Sequence, residues 1–167
     1  MVEVVTERLV WRPARAEDAE ALHALFSDWD VVRMSGTIPW PPDRAETAAR
    51  CQPVDPAEGL VGHVFAGAAL VGTCSVRQSE KGPMLGYLIA PFAWGRGYAT
   101  EISAALLAEI WPRYDWPWVR ATVFEDNPAS IRVIEKLGFA EVERGEGSSR
   151  ARGGGPVPVR RYRLYRP

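Results

Sequence analysis

The chain has 167 residues, of which 47% are apolar and 10% aromatic, so it can bury the core of a single domain spanning residues 1–167. Its formal net charge of −1 gives no reason to expect a nucleic-acid-binding protein. Two cysteines and two histidines are too few for a disulfide framework or a metal constellation, and no metal is expected. No apolar run approaches the roughly 18–20 residues that span a bilayer, and the N-terminus lacks a signal-peptide core, so a cytoplasmic protein without membrane contact is expected.

The first half of the sequence predicts a strand, two helices and a β-hairpin. In chain order these elements cover residues 8–13, 22–29, 43–51, 60–65 and 70–76. The first helix has one apolar stripe, predicted to be buried, at the helical spacing i, i+3, i+4, i+7, formed by Leu22, Leu25, Phe26 and Trp29. Asp43 suits the N-cap of the second helix, and Gly67 is expected to join the two hairpin strands.

The second half predicts four strands and two helices. The strands cover residues 84–90, 118–124, 139–143 and 157–165, and the helices cover 98–110 and the segment that begins after Asn127. Residues 145–156 contain five glycines, two serines and two arginines, so a mobile loop is expected between the last two strands. The order βααβββαβαββ indicates an α/β fold with a mixed central sheet of six to seven strands and helices on both faces.

The most informative stretch runs from Gly86 to Glu101, where a buried strand leads into two closely spaced glycines and a helix starts at once. Glycine lets the backbone turn tightly with its amides uncovered, and a helix N-terminus adds unpaired N–H groups and a partial positive charge. Together these features favour the binding of a phosphate or pyrophosphate group. Gly-x-Gly before a helix is a weak signal by itself, and a glycine-rich helix entry without a ligand is the alternative.

A second motif follows about thirty residues later, and the two motifs together resemble a known family. The first is Gly-Tyr-Leu-x-x-Pro-x-x-Trp-Gly-x-Gly-Tyr-Ala-x-Glu over residues 86–101, and the second is Asn-x-x-Ser-x-x-x-x-Glu-Lys-Leu-Gly-Phe over residues 127–139. This pair is similar to the GNAT acyltransferase superfamily, and within it to the branch typified by the ribosomal-protein alanine N-acetyltransferases RimJ and RimL. The resemblance starts near Thr6 and covers nearly the whole chain. It implies the GNAT fold and acetyl-CoA as the donor substrate.

The resemblance also implies which residues contact the coenzyme. In relatives the backbone amides of the glycine turn hold the pyrophosphate, and here those amides belong to Gly95, Arg96, Gly97, Tyr98 and Ala99. The pantetheine arm is implied to pair, like an added strand, with the backbone of Leu88, Ile89 and Ala90. A backbone N–H near Ile89 is implied to stabilise the oxyanion of the reaction. Core packing of these apolar side chains is compatible with that role.

Two polar residues at the start of the last helix carry two interpretations each. Asn127 before a proline is a good helix N-cap, and the resemblance implies a coenzyme contact. Ser130 shares one helical face with the apolar residues Val133, Ile134 and Leu137. Because the first turn of a helix has a positive potential, it would stabilise a departing thiolate. The resemblance implies that Ser130 protonates this thiolate, while a local hydrogen bond to the backbone is the alternative.

The sequence departs from the family at three positions. Met84 stands where many relatives have a glutamate facing the acceptor, Ile134 replaces a tyrosine that serves as the acid in some branches, and Phe92 replaces a glutamine or arginine. These changes leave the general base unassigned. The remaining candidates for a base or a water-holding residue, which solvated or structural roles explain equally, are Glu125, Asp126 and His63.

The acceptor pocket is expected between the first two helices and the late hairpin, which is formed by the last two predicted strands, residues 139–143 and 157–165. Four residues are candidates to line it, although aromatic residues there also suit the core: Trp29, Met34, Trp40 and Tyr87. Residues 144–167 hold seven arginines and one acid, Glu146. This segment is either a solvated strand edge or a contact for an anionic ligand.

These observations predict an enzyme that transfers the acetyl group of acetyl-CoA to a primary amine, either a protein N-terminus or a small molecule. Neither cysteine lies in a motif, so direct attack in a ternary complex is favoured over a covalent intermediate. A non-catalytic acyl-CoA-binding or regulatory domain and a purely structural domain are the rival hypotheses. Both a monomer and a homodimer fit the sequence.

Overall fold

A computed structural model describes residues 2–167. Its strands are β1 Val4–Val5, β2 Val10–Pro13, β3 Gly59–Ala66, β4 Ala69–Arg77, β5 Met84–Ile89, β6 Trp118–Phe124, β7 Ala140–Ser148 and β8 Pro156–Tyr165. Its helices are α1 Ala19–Phe26, α2 Trp29–Val32, α3 Arg44–Ala49, α4 Tyr98–Ile110 and α5 Pro128–Lys136, with 3₁₀ turns at Ala16–Asp18, Pro56–Glu58 and Pro91–Ala93. Within the described residues, no helix is both long and apolar enough to cross a membrane.

The strands form one mixed sheet of eight, in the order β1-β2-β3-β4-β5-β6-β8-β7. Neighbouring strands are antiparallel except β5 and β6, which run parallel and pair in register only where Met84 lies opposite Arg120. Beyond this point the two strands diverge, so the C-terminal half of β5 has β4 on one side and an open gap on the other. This gap lies immediately before the glycine turn that leads into α4.

The helices cover the two faces of the sheet around separate apolar clusters. On one face α4 buries Ile102, Leu106 and Ile110 against the sheet. On the other face α1 buries Leu22, Leu25 and Phe26. Successive residues of β5 divide between the two clusters, as the alternation of side chains along a strand requires: Tyr87 and Ile89 pack against the α4 cluster, and Leu88 packs against the α1 cluster.

The α/β fold class and the order of the elements are confirmed, with three differences in detail. The sheet has eight strands instead of six to seven because Val4–Val5, too short to leave a sequence pattern, pairs with β2. The helix predicted over residues 22–29 is broken, since Asp28 accepts a hydrogen bond from Val31 N–H and caps a new helix, α2. Trp29 is therefore 41% exposed and does not continue the buried stripe.

The third difference is the segment 145–156, for which the sequence predicts a mobile loop. Gly145 and Gly147 instead belong to β7, opposite Val159 and Val157 of β8. The turn that follows is anchored, because Ser149 is fully buried and its Oγ donates to Ser35 C=O at 2.9 Å. The glycine-rich composition gave no indication of these long-range contacts.

Candidate active site

The glycine turn before α4 exposes several backbone amides. Gly95 and Gly97 have φ values of +74° and +77°, a left-handed conformation that side-chain-bearing residues rarely adopt. Gly97 is the N-cap of α4, and no side chain caps this helix end. The first helical hydrogen bond runs from Glu101 N–H to Gly97 C=O, at 3.0 Å. The preceding N–H groups, from Tyr98 to Thr100, have no helical acceptor and are suited to hold an anion.

An ion pair between Arg8 and Glu101, neither of which is among the predicted site residues, lies beside this turn. Glu101 accepts hydrogen bonds from Arg8 Nε at 2.7 Å and from Thr6 Oγ1 at 2.6 Å. Partial burial raises the pKa of Glu101, but these hydrogen bonds outweigh it, and the net pKa is lowered. One Arg8 nitrogen, Nη2, lies 3.6 Å from the position that a Cβ on Gly97 would occupy. The available signal was the Thr6-Glu-Arg-Leu segment at the start of the resemblance.

The gap between β5 and β6 is lined by backbone groups of β5. Ala90 N–H donates to Val71 C=O of β4 at 2.8 Å, and Ala90 C=O accepts from Ala93 N–H at 2.9 Å. Because ladder hydrogen bonds alternate along an antiparallel pair, Leu88 N–H points to β4, and Ile89 N–H points into the gap. Of the three residues expected to pair with the pantetheine arm, Ile89 therefore presents a donor to the gap. Its own carbonyl accepts a hydrogen bond from Trp94 Nε1 at 2.7 Å.

Ser130 lies on the α5 side of the same gap. Asn127 is the N-cap of α5, and its Oδ1 accepts a hydrogen bond from Ser130 N–H at 3.2 Å, so the capping interpretation of Asn127 describes this structure. The Ser130 hydroxyl oxygen lies 2.6 Å from the hydroxyl oxygen of Tyr87 on β5. Burial raises the pKa of Tyr87 to about 12, although the hydrogen bond to Ser130 opposes the shift. The sequence predicts Tyr87 at the acceptor and Ser130 at the thiol, and no sequence pattern indicates their contact.

The four residues expected around the acceptor do not lie together. Trp29 and Trp40 form an edge-to-face pair with ring centroids 5.3 Å apart, and both are 41% exposed. Met34 lies near the β7–β8 turn, where its Sδ is 3.2 Å from Arg152 Nη2. Tyr87 packs on the opposite, α4 face of the sheet. The structure thus joins the two tryptophans and separates Tyr87 from them.

The β7–β8 turn, residues 149–155, fastens the late hairpin to the segment after α2. Arg152 donates to Arg33 C=O at 2.6 Å and forms an ion pair with Asp126 at 2.8 Å. Arg150 forms an ion pair with Glu46 of α3 at 2.7 Å. These contacts make the turn part of the wall on the face of the sheet that α1 and α2 cover.

The arginines of residues 144–167 are mostly paired within the chain. Six of the seven lie within ion-pair distance of a carboxylate: Arg144, Arg150, Arg152, Arg160, Arg161 and Arg166. The seventh, Arg163, lies over the ring of Trp118 at 4.6 Å. This pairing favours the interpretation of the segment as a solvated strand edge.

The candidate bases are all engaged in other interactions. His63 is buried on β3, where its Nδ1 lies 3.0 Å from Asp18 Oδ2, and burial lowers its pKa despite the neighbouring carboxylate. The hydrogen bond from Arg152 lowers the pKa of Asp126. Glu125 lies 3.5 Å from Arg144. At the start of the gap the side chain of position 84 is the uncharged Met84, so the structure does not identify a base.

Comparisons with known proteins agree with this architecture. A family model described as an acetyltransferase (GNAT) domain matches residues 8–140. The uncharacterized N-acetyltransferase YoaA of Bacillus subtilis (strain 168) is 26% identical over 159 residues, covering 80% of both chains. The structure of RimL, a ribosomal L7/L12 alpha-N-protein acetyltransferase in complex with coenzyme A, superposes with a TM-score of 0.83 at 20% identity over 98% of both chains.

A ribosomal-protein-S5-alanine acetyltransferase from Vibrio fischeri also has a TM-score of 0.83, at 14% identity, over 99% of this chain and 97% of its own. At such identities the superpositions establish a common fold, while the family model establishes membership. The chain therefore belongs to the GNAT acetyltransferase family and has the fold of the RimL structure.

Proposed function

We propose that this protein transfers the acetyl group of acetyl-CoA to a primary amine by direct attack within a ternary complex. One observation carries the proposal: a set of uncovered amides at the head of α4 adjoins a gap into which Ile89 N–H points. Family membership and the coenzyme complexes of similar folds support it, namely RimL with coenzyme A and the microcin immunity protein MccE with acetyl-CoA and AMP.

Each part of the site has a role in this proposal. The amides from Gly95 to Ala99 hold the pyrophosphate, because peptide dipoles at a helix N-terminus stabilise negative charge. The pantetheine arm lies in the gap beside β5, where Ile89 N–H stabilises the oxyanion as the amine attacks the thioester. Ser130 then donates to the sulfur as the C–S bond breaks. The acceptor approaches from the opposite face of the sheet, past Trp29, Trp40 and Met34.

The protonation of the acceptor favours an α-amine. An α-amine with a pKa of about 7.7–8.0 is roughly 10–15% neutral at pH 7, whereas a lysine side chain near 10.4 is far below 1% neutral. An α-amine can therefore react without a strong general base. With Met84 where a glutamate would face the acceptor, an α-amine of a peptide or small molecule is the better substrate.

The decisive experiment incubates the protein with isotopically labelled acetyl-CoA and a panel of peptides with free α-amines, matched peptides with blocked α-amines and free lysines, and small amines. We expect mass spectrometry to show acetylation mainly of α-amines. Because Met84 also suits a domain that binds the coenzyme without catalysis, calorimetry with acetyl-CoA is run in parallel. If the protein binds acetyl-CoA but acetylates no member of the panel, the hypothesis of a non-catalytic coenzyme-binding domain would replace that of an enzyme. If it does not bind acetyl-CoA, both hypotheses would be rejected.

The role of Ser130 is tested by Ser130→Ala. Since the hydroxyl acts only when charge develops on sulfur, turnover should fall at least about tenfold while the affinity for acetyl-CoA changes little. The replacement keeps the Ser130 N–H that Asn127 Oδ1 accepts, so the start of α5 is preserved. Unchanged turnover would remove Ser130 from the mechanism.

A further inference from the structure

A short hydrogen bond between two hydroxyls joins the two sides of the gap between β5 and β6. The hydroxyl oxygens of Tyr87 and Ser130 are 2.6 Å apart, at the short end of the range for O–H···O bonds. Tyr87 lies on β5, three residues beyond the one position where β5 pairs with β6, and Ser130 lies in the first turn of the helix that follows β6. The bond therefore crosses the space that the thiol end of the coenzyme would enter.

Either hydroxyl can donate in this contact, and the positions of the acceptors on Ser130 allow Tyr87 to be the donor. The phenolic oxygen of Tyr87 also lies 3.4 Å from the backbone carbonyl of Ser130, and a carbonyl can only accept. The phenolic proton thus has two acceptors on Ser130, of which Oγ at 2.6 Å lies within the normal O–H···O range and the carbonyl at 3.4 Å lies outside it. Within the described chain, the Ser130 hydroxyl bonds to Tyr87 and to no carbonyl of the preceding helical turn, so its own proton is available to another partner.

We propose that Tyr87 is a positioning residue for catalysis: its hydroxyl donates to Ser130 Oγ and leaves the serine proton directed at the sulfur of the departing coenzyme. This inference rests on the proposed acetyl transfer. The C–N bond forms and the C–S bond breaks. Ser130 Oγ gives its proton to the departing sulfur, the attacking nitrogen loses one proton to solvent, and solvent returns a proton to Ser130, so the thiol and both hydroxyls are protonated at the end of the reaction.

Two features of Tyr87 suit it to this role. Burial raises the pKa of its phenol to about 12, so the group stays protonated at neutral pH and acts as a fixed donor. Its ring packs against the α4 cluster beside Ile89, which holds the hydroxyl in place on the strand that also carries the oxyanion donor. The two polar contacts to the reacting thioester, from Ile89 N–H and from the Ser130 hydroxyl, are therefore both held in place by residues of β5. Donors that are fixed before the reaction provide preorganised electrostatic stabilisation.

The test compares Tyr87→Phe, Ser130→Ala and the double variant. Phenylalanine keeps the ring and removes only the hydroxyl, so kcat should fall about tenfold, while the KM of the acceptor and the Kd of acetyl-CoA change less than about twofold. The double variant should be no slower than Ser130→Ala alone, because the tyrosine acts only through the serine. Tyr162→Phe is the matched control, since it removes another buried hydroxyl from the same cluster and should leave kcat unchanged.

Each outcome separates the possibilities. Independent effects that multiply in the double variant would overturn the positioning role while leaving the acetyl transfer intact. A Tyr87→Phe variant that loses thermal stability or coenzyme affinity but keeps the wild-type kcat would show a merely structural tyrosine. A wild-type protein that binds acetyl-CoA without transferring the acetyl group would refute the proposed function and this inference together.

Discussion

The glycine turn before α4 can be tested by the substitution Gly97→Ala. In the free protein the added methyl group would meet only the end of the Arg8 side chain, at 3.6 Å, which is an ordinary contact. The substitution therefore lowers the free energy of unfolding because alanine has to adopt the left-handed conformation of Gly97, φ +77°, and not because of a clash. A left-handed residue other than glycine costs about 1–2 kcal/mol. For a chain of 167 residues this lowers the melting temperature by about 2–8 °C.

Coenzyme binding should suffer separately from stability. Gly97 belongs to the turn whose amides, from Gly95 to Ala99, are proposed to hold the pyrophosphate, so a methyl group on it is expected to hinder close approach of the phosphate oxygens. Displacing charge-assisted hydrogen bonds of this kind costs at least about 1.4 kcal/mol, which corresponds to a tenfold weaker Kd for acetyl-CoA. Isothermal titration calorimetry below the melting transition measures this change directly.

The matched control is Gly67→Ala in the β3–β4 turn. Gly67 also has a left-handed conformation, with φ +59°, and a Cβ there would meet no atom within 4 Å. The two variants should therefore lose similar stability, while only Gly97→Ala loses affinity for acetyl-CoA. Equal affinities in the two variants would refute the assignment of the phosphate site to this turn.

Three further outcomes follow from the structure. Burial raises the pKa of Asp18, but hydrogen bonds led by that of Arg12 outweigh it and lower the pKa from 3.8 to about 2. The ionised carboxylate therefore stabilises the fold by about 2 kcal/mol above pH 4, and this stabilisation is lost as the pH falls from 4 to 2. In thermal melts, Asp18→Asn should reduce the dependence of the melting temperature on pH in this range. Burial raises the pKa of the Cys51 thiol and raises the pKa of the Cys74 thiol to about 12. Because the thiolate is the reactive form, iodoacetamide at pH 7.5 should label neither cysteine of the native protein, as measured by intact mass. Rapid labelling would contradict the buried geometry. Arg152→Gln should raise the acceptor KM about two- to fivefold in steady-state assays without changing the Kd of acetyl-CoA, because it loosens the β7–β8 turn.

Local signals in the sequence were sufficient for the parts of the site that the backbone builds. The helix that follows Gly97 and the helix capped by Asn127 begin where glycine, asparagine and proline predict, since these residues act on their immediate neighbours. The break before α2 also has a local cause, the cap formed by Asp28. The apolar spacing continues through Trp29, so periodicity alone predicts one unbroken helix and does not reveal the cap at Asp28.

Contacts between distant segments were beyond such signals. Tyr87 and Ser130 meet where β5 and β6 no longer pair, and no pattern within either segment encodes that contact. The ordering of residues 149–155 depends in the same way on acids elsewhere in the chain, such as Glu46 and Asp126. Composition suggested flexibility, and tertiary ion pairs and a buried serine hydroxyl overrode it.

The ion pair of Arg8 and Glu101 resolves a conflict at the proposed phosphate site. An acid in the first turn stabilises a helix through its dipole, but a carboxylate in that position would repel a diphosphate. Arg8 neutralises Glu101 through a charge-assisted hydrogen bond at 2.7 Å, and its guanidinium lies against the glycine turn. The helix keeps its acidic first turn, while the potential that an incoming anion meets is set by uncovered amides and an arginine. Two segments 93 residues apart in sequence thus have to meet before the glycine turn becomes an effective anion site.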